Sequence, residues 1–482
     1  MPNCWLRYLW LSVACALHCF HTPLEAGEKP NIVFILVDDM GYGDLKCYNR
    51  DSKIPTPNMN RLADEGMRFT DAHAAGPLCH VSRYGLMTGQ YPFRAKPHTW
   101  PRRATIDSDR VTLPSFLKSH GYRTAMVGKW HLGFDEDGYD KPLPGGPVDR
   151  GFDSYFGIRA STDIPPYFYI KNNQAVLPPT LEIEANNSEG WSPIQGAFWR
   201  KGGISPDLDL EEVLPRFTDE AVKVIENHSA SQAGKPLFLY LAYPAPHTPW
   251  LPDDAFVGKS GAGMYGDFTM MVDAMVGRVL KALDLAGMKE DTMVILSSDN
   301  GPVWYEHDVE RFGHDSSGGL RGMKADAWEA GHRMPFIVRW PGRIRSGSVS
   351  QQTISFTDVL PTAASIIGKP LPKGAAPDGV SFHDVLTGKQ PEANPVREYL
   401  VVPSGNGTLT LRKGAWKLIQ GLGSGGFSKP SRIQPAKGGP RGQLYHLEKD
   451  PGETQNLYQD HPELVKELEQ KLKSILEDSS NI

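Results

Sequence analysis

Two pairs of residues with side-chain oxygens stand at the ends of two strongly apolar segments: Asp38-Asp39 follows Asn31–Val37 (NIVFILV), and Asp299-Asn300 follows Met293–Leu296 and two serines. Uninterrupted apolar, β-branched runs of this kind read as strands buried on both faces of a parallel sheet. Open α/β sheets place their ligands in the crevice at the carboxyl ends of such strands, so both pairs point to one place. Asp38, Asp39, Asp299 and Asn300 offer oxygen donors only, a set suited to a hard cation, Ca²⁺ or Mg²⁺, rather than zinc. Four side chains leave at least one coordination position for something reactive. An isolated Asp-Asp or Asp-Asn-Gly is more often a turn, so the rest of the chemistry has to decide.

That chemistry lies elsewhere in the chain. Cys79-His80-Val81-Ser82-Arg83, followed by Tyr84-Gly85-Leu86-Met87-Thr88-Gly89, sits where a loop enters a short helix, near an N-terminus that favours anions. Lys129 and His131 follow the strand expected at Arg123–Val127 and, two residues apart, would face the same side. His247 stands between two prolines, and Lys324 lies in Leu320-Arg321-Gly322-Met323-Lys324. Singly, each has a plainer reading as a rigid-loop histidine, a surface lysine or a helix-surface arginine. Together and in this order they do not.

The blocks resemble those of the sulfatase family: NIVFILVDDMGYGD at the start, Cys-x-x-Ser-Arg followed by Thr-Gly, GKWHLG at 128–133, APHTPW at 245–250, SSDNG at 297–301, LRGMK at 320–324 and LYHLEKDPGETQNL at 444–457. The match runs from about Pro30 to Leu457. The resemblance implies that Cys79 is oxidised after synthesis to Cα-formylglycine by a maturation enzyme, and that its hydrate supplies a geminal diol. One hydroxyl attacks sulfur and displaces the alcohol; deprotonation of the other expels sulfate and regenerates the aldehyde. It further implies that Asp38, Asp39, Asp299 and Asn300, with the oxidised Cys79 beside them, hold Ca²⁺. Arg83 would stabilise the hydrate, Lys129 orient it and His131 act as base, while His247 and Lys324 bind the sulfate and help to protonate the leaving oxygen. Fixed cations and a metal suit a reaction whose charge spreads over non-bridging and leaving oxygens. One position departs from the family signature: Val81 stands where Pro or Ala is usual. A β-branched residue keeps that stretch compatible with the extended peptide a maturation enzyme reads.

Positioning these residues requires alternating strands and helices. Leu237–Ala242 and Phe336–Val338 read as further buried strands. Thr112 caps a helix over Leu113–His120 that stops at Gly121, and Phe268–Leu285 carries a helical apolar stripe ended by Gly287. The expected fold is α/β: a large, mostly parallel central sheet sandwiched by helices, followed by a smaller C-terminal α+β subdomain. Boundaries are expected at 27–394 for the catalytic domain, with an aromatic-rich insertion at 160–215 near the active face, and 395–482 for the subdomain. There, Glu398–Val402, Thr408–Arg412, Trp416–Ile419 and Gln443–Leu447 suggest an antiparallel sheet, Gly421–Gly442 a long loop, and Asp460 with Glu463 a capping box for a final helix.

Composition narrows the partners. A net charge of −5 with no basic run excludes nucleic acid as the expected partner. Arg7 followed by about 13 apolar residues (Tyr8–Phe20) is too short for a membrane span and reads as a signal peptide over residues 1–26. The exported mature chain would then carry no transmembrane segment. Neither Cys15 nor Cys19 has Leu three positions earlier, which argues against a lipid anchor. Export leaves Cys47 and Cys79, and a disulfide between them is the plain alternative to oxidation. The substrate expected from the aromatic insertion is a sulfated carbohydrate, with 6-O-sulfated galactose or N-acetylgalactosamine suggested by the segment Ala160–Pro179. A phosphoesterase of the same superfamily and a non-catalytic sulfated-glycan binder remain the competing readings.

Overall fold

The computed structural model describes residues 29–95, 102–231 and 234–478. The expected signal peptide lies outside the described residues.

Five strands run side by side and parallel at the centre of an eleven-stranded sheet, in the order Thr292–Ser298, Asn31–Val37, Leu237–Ala242, Arg123–Lys129, Ser154–Ile158. Their composition explains their place. Along Asn31–Val37, Ile32, Phe34 and Leu36 enter one core while Val33, Ile35 and Val37 enter another. Successive side chains of a strand point to opposite faces, so a strand apolar at every position must be covered on both. Helices Leu113–Ser119 and Val359–Ile366 cover the first face, and Val213–Ser231 and Gly263–Leu285 cover the second. Thr112 is the expected cap, and Ser115 makes it reciprocal: Thr112 Oγ1 accepts from Ser115 N at 3.2 Å and Ser115 Oγ accepts from Thr112 N at 2.8 Å. The helix ends before Gly121, whose φ of +91° a side chain would resist.

The sheet is mostly parallel, as expected, but mixed at both sides: Ile170–Lys171 runs antiparallel to Ser154–Ile158 at one edge. Arg333–Arg339 runs antiparallel between Thr292–Ser298 and a strand at Met67–His73 that the sequence reading did not include. Its cue is the alternation of Met67 and Phe69 with Arg68 and Thr70, a weaker signal than a continuous apolar run. The long second-face helix begins at Gly263 rather than Phe268: the Asp267 carboxylate accepts from the amides of Gly258, Lys259 and Ser260 and so fastens the preceding loop.

A separate antiparallel sheet follows in the C-terminal part, with strands Tyr399–Pro403, Leu409–Lys413, Trp416–Ile419 and Gln443–His446 in that order. Helix Pro462–Asp478 packs Val465, Leu468 and Leu472 into its core, the spacing of one helical face. Its first backbone bond runs from Val465 N to His461 O at 3.0 Å, so His461 holds the cap position and not Asp460. Between the two sheets lies a buried charged layer: Arg412 donates to Asp71 at 2.6 Å and Lys417 to Glu329 at 3.0 Å. Breaking one partner of such a buried pair strands a charge at a cost of about 3–5 kcal/mol, which ties the small sheet to the large one.

Candidate active site

Register brings the two strand-end pairs together. Val37 pairs with Ser298, so the next residues, Asp38 and Asp299, emerge side by side, and Asp299 N donates to Val37 O at 3.0 Å. Asp39 adopts φ +64°, a left-handed conformation that Asp tolerates better than most side chains. Its amide donates to Asp299 Oδ1 at 3.3 Å, and the Tyr265 hydroxyl lies 3.1 Å from its carbonyl.

Cys79 opens the helix Cys79–Thr88, and Arg83, four residues on, shares its face. Cys79 Sγ donates to Asp38 Oδ1 at 3.3 Å. Arg83 is 1% exposed and its guanidinium is fully used: Nε and Nη2 donate to Asp299 Oδ2 at 3.0 and 2.8 Å, Nη2 also reaches Asp38 Oδ2 at 3.3 Å, and Nη1 donates to Lys129 O at 2.7 Å. Lys129, the last residue of its strand, donates Nζ to Asp38. The alternation expected to align Lys129 with His131 ends there, because His131 takes φ +60°; its ring packs 5.6 Å from that of His80, the buried histidine next to Cys79. Lys324 arrives from 285 residues beyond Asp39 and donates to both of its oxygens, at 2.6 and 2.8 Å. His247 Nε2 lies 3.6 Å from Asp39 Oδ2, and its Nδ1 donates to Thr248 O at 2.6 Å.

Asp163, which sequence reasoning did not single out, completes the rim. It is buried, its Oδ1 is 4.0 Å from His247 Nδ1 and has no hydrogen-bond partner, and its Oδ2 is held by Arg200 at 2.5 Å. A lone Asp among prolines and aromatics gives no local signal. Its segment also packs on the strand-end loops: Trp250 N and Thr248 Oγ1 donate to Gly196 O at 2.8 and 2.7 Å.

The electrostatics follow from burial and neighbours. Burial alone would raise Asp38, but Lys129, His247 and Arg83 hold it well below the usual carboxylate range. Burial, aided by Asp38, pushes Asp299 up to about 6, and burial raises Asp39 despite Lys324. The Cys79 thiol is raised by burial and by Asp38, so it stays protonated. His247 is lowered to about 4 by burial and Lys324. Cys47 and Cys79 are both free thiols, which removes the disulfide alternative.

Residues 30–369 match the family model described as Sulfatase. The chain belongs to the sulfatase family. It is 34% identical over 490 residues to an N-acetylgalactosamine-6-O-sulfatase of Bacteroides thetaiotaomicron, with 94% of each chain covered. Human arylsulfatase A is 33% identical over 452 residues, covering 90% of this chain and 84% of that one. A solved structure from work on glycosaminoglycan metabolism by Bacteroides thetaiotaomicron superposes with a TM-score of 0.82 at 34% identity, covering 93% of this chain and 99% of that one. This sulfatase is thus a sulfuric ester hydrolase. Among the described residues no helix is long and apolar enough to cross a membrane.

The residues present fit a hard cation. Asn300 Nδ2 is spent on Asp39 Oδ1 at 2.6 Å and Gly301 O at 2.9 Å, while Asn300 Oδ1 is buried with no hydrogen-bond partner. A buried acceptor left so costs about 1–3 kcal/mol, which a coordinated cation recovers. One donor atom each from Asp38, Asp39, Cys79 and His247 lies within 4.8 Å of the others. The carboxylates of Asp38, Asp39 and Asp299 balance the cations Arg83, Lys129 and Lys324, three against three, so a divalent cation leaves the pocket positive and ready for an anionic ester. Asp299→Ala is expected to weaken Ca²⁺ binding by about 10²-fold or more through loss of an anionic oxygen. Calorimetric titration of chelator-treated protein measures this, and unchanged affinity would remove Asp299 from the metal set.

Proposed function

We propose that this sulfatase hydrolyses the sulfate ester of a carbohydrate, with 6-O-sulfated galactose or N-acetylgalactosamine as the substrate to test first. The observation that carries the reading is the 34% identity, across 94% of both chains, to an N-acetylgalactosamine-6-O-sulfatase. The orphaned acceptor of Asp163 beside His247 supports it, because a sugar hydroxyl would satisfy that oxygen.

Ca²⁺ held by Asp38, Asp39, Asp299 and Asn300 would supply Lewis-acid stabilisation, and Cys79 matured to Cα-formylglycine an oxygen nucleophile in place of a protonated thiol. Arg83 fixes Asp38 and Asp299 in place. Lys129, held by Asp38, orients the group at position 79, and His131 takes the proton that releases sulfate. Lys324 binds the sulfate and helps to protonate the leaving oxygen. Pinned through Nδ1 to Thr248 O, His247 presents Nε2 and, with Lys324, would help to protonate the leaving oxygen. We infer also that a signal peptide over 1–26 exports the chain, and that it divides near residue 394 into catalytic and C-terminal parts.

Two measurements test the reading. The tryptic peptide Phe69–Arg83, from a host with a maturation enzyme, is expected to be lighter by the exchange of H₂S for O. An unmodified cysteine would favour a sulfated-glycan binder. Val81 is helical in the folded chain, so its effect on maturation is confined to the unfolded peptide. With one chromogenic leaving group, sulfate ester turnover is expected to exceed phosphate ester turnover; the reverse would favour a phosphoesterase.

A further inference from the structure

Lys324 lies on a turn, Met323–Asp326, whose backbone is fastened from two directions. On the catalytic side, Lys324 N donates to Pro302 O at 2.9 Å and Ala325 N to Pro77 O, two residues before Cys79, at 2.8 Å. On the other side stands the small sheet. Gly405 N donates to Ala325 O and Ala327 N to Ser424 O, both at 2.7 Å. The Asp326 carboxylate accepts Met323 N at 2.9 Å, Ser428 N at 3.1 Å and Ser428 Oγ at 2.5 Å, so one side chain closes the Lys324 turn and clasps the 421–442 loop. That loop is braced within itself, with Ser424 Oγ donating to Ser428 O at 2.6 Å and accepting from Gly426 N at 3.0 Å. At Gly426 a Cβ would stand 2.3 Å from Ala325 C and O, an approach only glycine allows. Ala325 itself holds φ +72°, a left-handed conformation that costs about 1–3 kcal/mol and persists only where neighbours over-determine it.

We propose that Asp326 is a positioning residue for Lys324, and that the 421–442 loop of the small sheet, through Ser428, completes the active site by fixing that turn. The inference rests on the role given above to Lys324. A lysine ammonium swings on a four-carbon stem, so its placement on Asp39 depends on where the turn holds its Cα. Misplacement by about 1 Å at a reacting centre costs about 10²-fold in rate. Burial pushes the Asp326 carboxyl up to about 6, so above that pH it is an anion accepting three donors, and its clasp is strongest there.

The test compares Asp326→Ala, Lys324→Ala and the double variant on N-acetylgalactosamine 6-sulfate and on 4-nitrophenyl sulfate. Nitrophenolate leaves readily and needs little protonation; a sugar hydroxyl needs it most. Asp326→Ala is expected to lower kcat on the sugar sulfate by about 10²-fold and on the aryl sulfate far less, a pattern shared with Lys324→Ala. The double variant is expected to be no slower than Lys324→Ala alone, because the two changes remove one interaction. Equal losses of Asp326→Ala on both substrates where Lys324→Ala is selective, or losses that multiply in the double variant, would overturn the proposal. If Lys324→Ala itself loses both substrates equally, the role given to Lys324 fails, and additivity in the cycle still judges whether Asp326 acts through it. Asp326→Asn, which keeps the shape but turns N–H toward the donors, serves where the alanine variant folds poorly.

Discussion

Cys79→Ala is expected to abolish sulfate ester hydrolysis, by about 10⁴-fold or more, while the protein folds as before and still takes up Ca²⁺ through Asp38, Asp39, Asp299 and Asn300. Alanine offers no atom from which an oxygen nucleophile can be made, and no neighbour can replace it. Arg83 is fully engaged with Asp299, Asp38 and Lys129 O, and Lys324 is held on Asp39. The structural cost is small, because the bond given up is a weak thiol donation to Asp38 Oδ1, an acid that keeps Lys129 and Arg83. A change of about 1 kcal/mol or less in stability is therefore expected. Turnover of an aryl sulfate, thermal unfolding and Ca²⁺ titration on the same preparation check all three parts. Activity above a tenth of the parent would show that position 79 does not carry the nucleophile.

Arg83→Ala carries the largest expected effect on stability. It leaves Asp299 and Asp38, both fully buried, without their shared guanidinium, at about 3–5 kcal/mol in chelator-treated protein. The loss depends on pH with a definite sign. In the parent, Asp38 lies well below its unfolded value, so its contribution is present above pH 4 and lost as pH falls through the depressed value. Asp299, already raised to about 6 in the parent, rises further in the variant, so its folded form keeps a proton that the unfolded chain has released and stability goes on falling above pH 6, where the parent's has levelled. The gap between parent and variant is therefore expected to widen from pH 5 to pH 8, read from unfolding midpoints. A gap that stays constant would mean that Arg83 stabilises by packing alone. Arg83→Lys is expected to recover only part, since an ammonium cannot span Asp299, Asp38 and Lys129 O with one rigid fork.

Much of this sulfatase was legible residue by residue. The runs at Asn31–Val37 and Leu237–Ala242 are strands with the expected bounds because apolarity at every position has one local solution, burial on both faces. Thr112 and Gly121 bracket their helix because caps and left-handed glycines act within a few residues. Both pairs, Asp38-Asp39 and Asp299-Asn300, were legible as strand-end residues for the same reason. Tertiary structure decided what local periodicity does not encode. It set Arg333–Arg339 antiparallel, because strand direction depends on which neighbour a segment meets and not on its own pattern. It replaced the extended alternation after Lys129 with a left-handed turn at His131. It also brought Asp163 to His247 and carried Lys324 across 285 residues to Asp39, on a turn whose Asp326 bonds Ser428 of the 421–442 loop. Such contacts arise only when packed layers close loops of that length; their residue types appear in the sequence, and their partners do not.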